Sequence, residues 1–200
     1  MNIKAIIFDA DGVVINSPEY FSVQYSKEFG IYNESMVPFF KGIFQECVVG
    51  KRDLKEILQP ILEDWKWNGT VDELLVWWFK SEHYIDQRII GEIKRLQGKG
   101  VKCCLGTKQE KYRAEYIRKK MGFEKIFDEL YISCDMGYKK PDKKFFEFIF
   151  NDLASKMPIR KEEIMLWDNK EENIAAAREL GWQGYLYDSF DNFQKVISKI

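Results

Sequence analysis

The sequence predicts an α/β protein: a parallel sheet covered by helices on both faces, interrupted by one all-helical insert. Three observations carry that reading. Short apolar runs rich in β-branched residues recur along the chain, as buried parallel strands require. Between most of them lies one stretch of helical period, the alternation from which parallel sheets are built. Between the first and second runs, by contrast, residues 16–86 carry repeated helix signals and no convincing strand.

Ile3 to Phe8 is the first strand and ends abruptly at Asp9. Helical texture begins at Ser17, which can cap, with Pro18 suited to the first helical position and Gly30 as a stop. Asp53 opens a further helix, and Thr70-Val71-Asp72-Glu73 is a capping-box pattern ahead of the apolar run Leu74 to Phe79. The insert thus holds three or four helices. From about Asp86, Ile89, Ile90, Ile93 and Leu96 form the apolar stripe of another helix; Gly98 and Gly100 close it, and Val101 to Leu105 is the second strand. A helix near 110–121 then precedes a strand at 130–133, and a helix near 143–154 precedes a strand at 164–167. A helix from about Glu171 to Leu180 stops at Gly181, Tyr185 to Tyr187 is the last strand, and Ser189 caps a terminal helix. The expected organisation is an α/β core of residues 1–15 and 87–200 with a small helical cap of residues 16–86. Trp65, Trp67, Trp77, Trp78 and Phe79 fall in the cap, where aromatics at helical spacing supply core.

Composition narrows the function classes. Lys and Arg number 31 against 32 Asp and Glu, a net charge of −1, so the basic excess that binds nucleic acid is missing. The longest apolar run, Leu74 to Phe79, is far short of the roughly 18 residues of a membrane span. The apolar run at the amino terminus is too short for a secretion signal. Cys47, Cys103, Cys104 and Cys134 show no CxxC pairing, and the adjacent pair sits in an apolar run, as packing residues of a reducing compartment do. The expectation is a cytoplasmic monomer or homodimer with neither a nucleic-acid nor a membrane partner. The single His83 leaves no His-rich metal centre and reads as an exposed or satisfied side chain.

In an open parallel sheet, ligands bind beyond the carboxyl ends of the strands. The unusual polar residues stand there: Asp9-Ala10-Asp11-Gly12 after the first strand, Gly106-Thr107-Lys108 after the second, Lys139-Lys140-Pro141-Asp142 after the third, and Asp168-Asn169 after the fourth. Clustered Asp oxygens suit a hard cation such as Mg2+, whereas Lys, Thr and free backbone N–H groups suit a phosphate. A carboxylate is also a competent nucleophile that forms an acyl phosphate. Asp-x-Asp-Gly is not a calcium loop, because Val13 occupies the third ligand position and Tyr20 the twelfth. Taken singly, Thr107 reads equally as a helix cap, Lys140 as one of a solvated lysine run, and Asp168 as a cap.

In order, FDADG, the lone Thr107, Lys140 before Pro-Asp, and Asp168 ahead of NIAAARELG resemble the four motifs of the haloacid-dehalogenase-like superfamily across the whole chain. The insert is similar to the helical cap of that superfamily's phosphatase-rich branch, and the resemblance implies a Rossmann-like core. It further implies that Asp9 attacks phosphorus, while Asp11 protonates the departing alkoxide and later deprotonates the hydrolytic water. Mg2+ would be held by Asp9, the backbone carbonyl of Asp11 and the acidic turn at Asp168 and Asn169. Thr107 would hydrogen-bond a phosphoryl oxygen and Lys140 would offset charge. The implied activity is a Mg2+-dependent phosphatase acting on a small phosphorylated metabolite.

Two positions depart from that pattern. Asn169 stands where the superfamily commonly carries the ligating Asp, which removes a negative charge from the site. Lys108 stands where an Asn commonly follows the motif Thr, adding a cation to the phosphate pocket or to solvent. Two alternatives stay open: a phosphotransferase or sugar-phosphate mutase, and a catalytically impaired phosphate-binding protein.

Overall fold

A computed structural model describes residues 2–200. The chain enters through β1 (Ala5–Phe8) and leaves the sheet for α1 (Phe21–Phe29), α2 (Asn33–Lys41), α3 (Phe44–Val48), α4 (Leu54–Leu58) and α5 (Val71–Ser81). It returns through α6 (Gln87–Gly98) to β2 (Lys102–Thr107), and α7 (Lys111–Lys119) leads to β3 (Glu129–Ile132). A short α8 (Ser133–Met136) and a long α9 (Lys143–Lys156) precede β4 (Ile164–Asp168); α10 (Glu171–Glu179), β5 (Gln183–Leu186) and α11 (Phe190–Ile197) complete it. The strands form one sheet in the order β3-β2-β1-β4-β5, with every pairing parallel.

Alternation of side chains across each strand divides the core. Ile6, Phe8, Cys103, Leu105, Met165 and Trp167 pack on one face with α6 and α11, through residues such as Ile93 and Phe193. Ala5, Ile7, Cys104, Ile164 and Leu166 pack on the other with Phe145 and Ile149 of α9 and Ile174 of α10. Adjacent Cys103 and Cys104 therefore face opposite layers. Burial pushes both thiols up, Cys104 to about 12, so they pack as apolar residues.

The five insert helices enclose their own apolar cluster around Phe21, Tyr25, Leu58, Leu74 and Trp78. Phe21 and Trp78 stack with ring centroids 4.3 Å apart, and Tyr25 Oη donates to the carbonyl of Trp65 at 2.9 Å. Trp65, Trp78 and Phe79 are buried in it, whereas Trp67 and Trp77 are half-buried. The two chain segments joining insert and sheet run side by side: Asn16 N donates to Tyr84 O at 2.8 Å and Asp86 N to Val14 O at 2.9 Å.

Several local signals act as read. Asp53 caps α4 by accepting from Lys55 N, Thr70 and Glu73 form a reciprocal capping box, Ser189 caps α11, and Gly30 ends α1 in the left-handed conformation. His83 is satisfied, its Nδ1 2.9 Å from Tyr116 Oη. Others differ. The first insert helix starts at Phe21 rather than Ser17, whose hydroxyl instead donates to Glu19 O. Its N-terminus is capped from a distance, by Glu82 Oε1 accepting from Phe21 N at 2.7 Å, so no local capping residue is needed. The insert has five helices, and β5 begins at Gln183, two residues early. β2 extends to Thr107, because Gly106 and Thr107 still pair with Tyr131 and Ile132 of β3. Any side chain at 106 would collide with Ile7, whose Cγ2 lies 2.5 Å from the position a Cβ would take. Among the described residues no helix is long and apolar enough to cross a membrane.

Candidate active site at the carboxyl edge of the sheet

Register fixes the site. Phe8 lies opposite Leu105 on one side and Trp167 on the other, so Asp9, Thr107 and Asp168 reach the same edge of three neighbouring strands. Asp9 N still donates to Trp167 O, at 2.9 Å, which holds the Asp9 backbone in strand register. Beyond it the chain turns sharply: Val14 N and Ile15 N both donate to Ala10 O, at 2.9 and 2.8 Å. Gly12 sits inside that turn with φ +81°, where a side chain would be strained.

Lys140 is 1% exposed and lies between two carboxylates. Its Nζ is 2.9 Å from Asp9 Oδ1 and also donates to Asp168 Oδ2. Asp9 Oδ1 accepts a second bond, from Ala10 N at 2.7 Å, and among the described residues no donor reaches Oδ2. Burial pushes Asp9 well above the usual carboxylate range; Lys140 counters this in part and the Asp168 charge adds to it. Burial alone would lower the Lys140 ammonium, but the two carboxylates outweigh it and hold it above its ordinary value. Asp168 is fully enclosed, with Oδ1 accepting from Lys170 N at 2.9 Å and Asn173 Nδ2 at 2.8 Å. Lys139 turns the other way, to Gln45 Oε1.

Asp11 is different in character: its side chain is 45% exposed. Gln109 Nε2 donates to Asp11 Oδ2 at 2.7 Å and to Thr107 Oγ1 at 3.1 Å, tying the two together. The Arg113 guanidinium stands 3.9 Å from Asp11 Oδ1 and 3.8 Å from Glu82, and donates to Phe79 O at 3.1 Å. Glu82 in turn accepts from Phe21 N and Trp78 Nε1. Burial, reinforced by the Asp11 charge, pushes its carboxyl up. A cavity of about 350 Å3 opens between Asp11 and the insert, with exposed Lys108 on its wall.

The structure therefore brings Asp9, Asp11, Thr107, Lys140, Asp168 and Asn169 to one edge, with Lys108 bordering the cavity above them. Gln109, Arg113, Glu82 and Asn173 join them unannounced. Gln109 had one signal, its place two residues beyond a strand-end Thr, and Arg113 follows it by one helical turn. Glu82 had none, since it comes from the far end of the insert.

The donor set is suited to a hard cation only in part through carboxylates. Among the described residues no three Asp, Glu, His or Cys side chains are grouped to hold a metal. Asp168, counted with Asn169 as a candidate ligand from sequence, has its oxygens engaged by Lys140, Lys170 N and Asn173. Asn169 is placed otherwise: a Cβ at Gly12 would lie 1.9 Å from Asn169 Nδ2, so this carboxamide fills the space over the Asp11–Gly12 turn. A carboxamide offers an oxygen as well as a nitrogen. The Asp9 carboxylate, the Asp11 backbone carbonyl and the Asn169 carboxamide would make an oxygen set of the kind Mg2+ accepts.

Comparison with known proteins settles the family: the haloacid dehalogenase-like hydrolase family matches residues 3–181. The chain belongs to the haloacid dehalogenase-like hydrolases. Among relatives of this hydrolase, it is 23% identical to the D-ribitol-5-phosphate phosphatase of Bacteroides thetaiotaomicron, covering 99% of this chain and 98% of that one. It is 24% identical to the pyrophosphatase PpaX of Halalkalibacterium halodurans, over 86% of this chain and 78% of that one. Two further curated relatives match over shorter stretches, and the chain spans 13% and 27% of their lengths. Its fold is similar to that of a HAD family enzyme from Bacteroides thetaiotaomicron solved with magnesium and inorganic phosphate, at a TM-score of 0.77 and 20% identity over 97% of this chain and 98% of that one.

Proposed function

We propose that this hydrolase is a Mg2+-dependent phosphatase that cleaves the phosphomonoester of a small metabolite through an aspartyl-phosphate. The observation that carries the reading is the asymmetry of its two carboxylates: Asp9 is buried and clamped through Oδ1 by Lys140, and Asp11, two residues on, is half exposed and held by Gln109. Similarity to a ribitol-phosphate phosphatase and to an enzyme binding magnesium with phosphate supports it.

Asp9 Oδ2 attacks phosphorus as the ester P–O bond breaks, and Asp11 gives its proton to the departing alkoxide. Asp11, then ionised, takes a proton from water attacking the phosphorus of the acyl phosphate, releasing inorganic phosphate and restoring Asp9. Thr107 Oγ1 accepts from Gln109, so its own proton is left to donate to a phosphoryl oxygen. Lys140 favours the anionic form of Asp9 against the cost of burial and offsets charge gathering on the transferring group. Lys108 adds a cation near the phosphate. Mg2+ would be held by Asp9, the Asp11 carbonyl and Asn169, and would supply electrostatic stabilisation of phosphoryl oxygens. We place the enzyme in the cytoplasm, with residues 16–86 acting as its cap, as a monomer or homodimer.

The test is hydrolysis of p-nitrophenyl phosphate by purified protein with and without Mg2+, beside Asp9→Asn. Mg2+-dependent release that disappears in the variant is expected; equal release by the variant would overturn the assignment of Asp9.

A further inference from the structure

Resting on the phosphatase reading, the walls of the 350 Å3 cavity speak to what the leaving group is. On the insert side they carry one continuous apolar patch, Phe21 and Trp78, stacked at 4.3 Å, with Phe40, Phe44 and Val37 beside them. Tyr20, Ser22, Asn33, Lys41 and Glu82 border it. Phe40 stands edge-on to Trp78, with centroids 5.6 Å apart, and to Phe44 at 5.3 Å, so the rings form one continuous surface. Phe40 and Phe44 are only partly buried, and Val37 is 36% exposed. Apolar area left open inside a site is area that an apolar ligand covers.

Several polar groups of the same walls are already engaged, while Tyr20, Ser22, Lys41 and Lys108 also line the cavity. Glu82 accepts from Phe21 N and Trp78 Nε1; Glu110 accepts from Tyr112 N and Arg113 N; Gln109 is committed to Asp11 and Thr107; Arg113 donates to the carbonyl of Phe79. Asn33 Oδ1 is a buried oxygen with no partner among the described residues. A polyol phosphate carries several hydroxyls, each of which costs free energy if stripped of water without a new bond. The apolar patch offers them none. A ring, in contrast, gains both burial and edge-to-face contact.

We infer that the preferred substrate is a phosphomonoester whose organic part is a compact aromatic or comparably apolar ring-bearing group, seated against Phe40, Phe44, Trp78 and Val37. The ring and the phosphate then sit at opposite ends of the cavity, with Asp11 at the junction where the leaving oxygen must be protonated.

The experiment compares 2-phenylethyl phosphate with D-ribitol 5-phosphate. Both release a primary alkoxide, so intrinsic leaving-group reactivity does not decide the result. The wild type is expected to favour the aromatic ester by about tenfold or more in kcat/KM, the scale at which apolar pockets discriminate. Phe40→Ala is expected to collapse that preference. Val37→Asn, at an exposed position, does the same should Phe40→Ala fail to fold. Calorimetric binding of the two non-hydrolysable phosphonate isosteres reads the pocket without turnover. Tighter binding of the phenyl isostere, lost in the variants, supports the inference even if neither ester is cleaved, an outcome that would count against the phosphatase reading alone. Equal or tighter binding of the polyol isostere, or a kcat/KM favouring ribitol 5-phosphate, overturns the inference and leaves the phosphatase reading intact.

Discussion

Gln109 Nε2 lies 2.7 Å from Asp11 Oδ2 and 3.1 Å from Thr107 Oγ1, so one amide holds both the half-exposed carboxylate and the strand-end hydroxyl. Among the described residues, the other charged partner of Asp11 is the distant Arg113, at 3.9 Å. Gln109 is therefore a positioning residue. Gln109→Leu is expected to lower kcat for alkyl phosphates about tenfold to a hundredfold with little change in KM. Its effect on p-nitrophenyl phosphate should be smaller, since that leaving group needs no proton. Steady-state kinetics on both esters checks this, and equal losses on the two would contradict the assignment.

Lys140 binds the two buried carboxylates of Asp9 and Asp168. Lys140→Met leaves both charges enclosed without a cation, at an expected cost of about 3–5 kcal/mol. Urea unfolding should show it. The Asp9 carboxyl, already raised by burial, would be raised further in the folded state, so the loss should shrink as the pH is lowered and protons neutralise the enclosed charge.

How much of this was legible beforehand depends on the range of each interaction. Asp9, Thr107 and Asp168 were readable because strand ends are marked by local apolar runs, and a parallel register brings such ends together. Lys140 was separable from Lys139 by its place before Pro141, and the structure sends the two side chains to different partners, Asp9 with Asp168 and Gln45. Caps such as Asp53 and Thr70 with Glu73 are local bonds and were read correctly. The start of α1 was not, because its cap is Glu82, 61 residues away. The bonds from Gln109 to Asp11 and from Arg113 to Phe79 O are long-range in the same way and leave no spacing in the sequence.

Asn169→Asp is expected to tighten Mg2+, since it adds a carboxylate over the Asp11–Gly12 turn where the carboxamide now lies. Ligand charge count tunes such sites. The Mg2+ concentration giving half-maximal activity should fall by about tenfold. An unchanged Mg2+ dependence would place Asn169 outside the ligand set.

Glu110 caps α7 through bonds from Tyr112 N and Arg113 N, yet burial outweighs them and pushes its carboxyl up to about 7 from 4.5. The folded state thus holds this proton more tightly than the unfolded state. Its contribution to stability is present at acidic pH and is lost as pH rises from about 4.5 through 7. Glu110→Gln removes that titration and should flatten the stability profile across this window by roughly 1–3 kcal/mol. Thermal or urea unfolding of both proteins at a series of pH values checks it.

The most direct test of the central claim, that Asp9 is the nucleophile, is acid-quenched mass spectrometry of Asp11→Asn turning over p-nitrophenyl phosphate with Mg2+. That leaving group departs without an acid, whereas hydrolysis of the acyl phosphate lacks its base, so the phosphoenzyme accumulates. A hydroxylamine-labile phosphoryl adduct on the peptide carrying Asp9, absent when Asp9→Asn is added, is the predicted result. Steady turnover with no adduct, or an adduct on another residue, would contradict it.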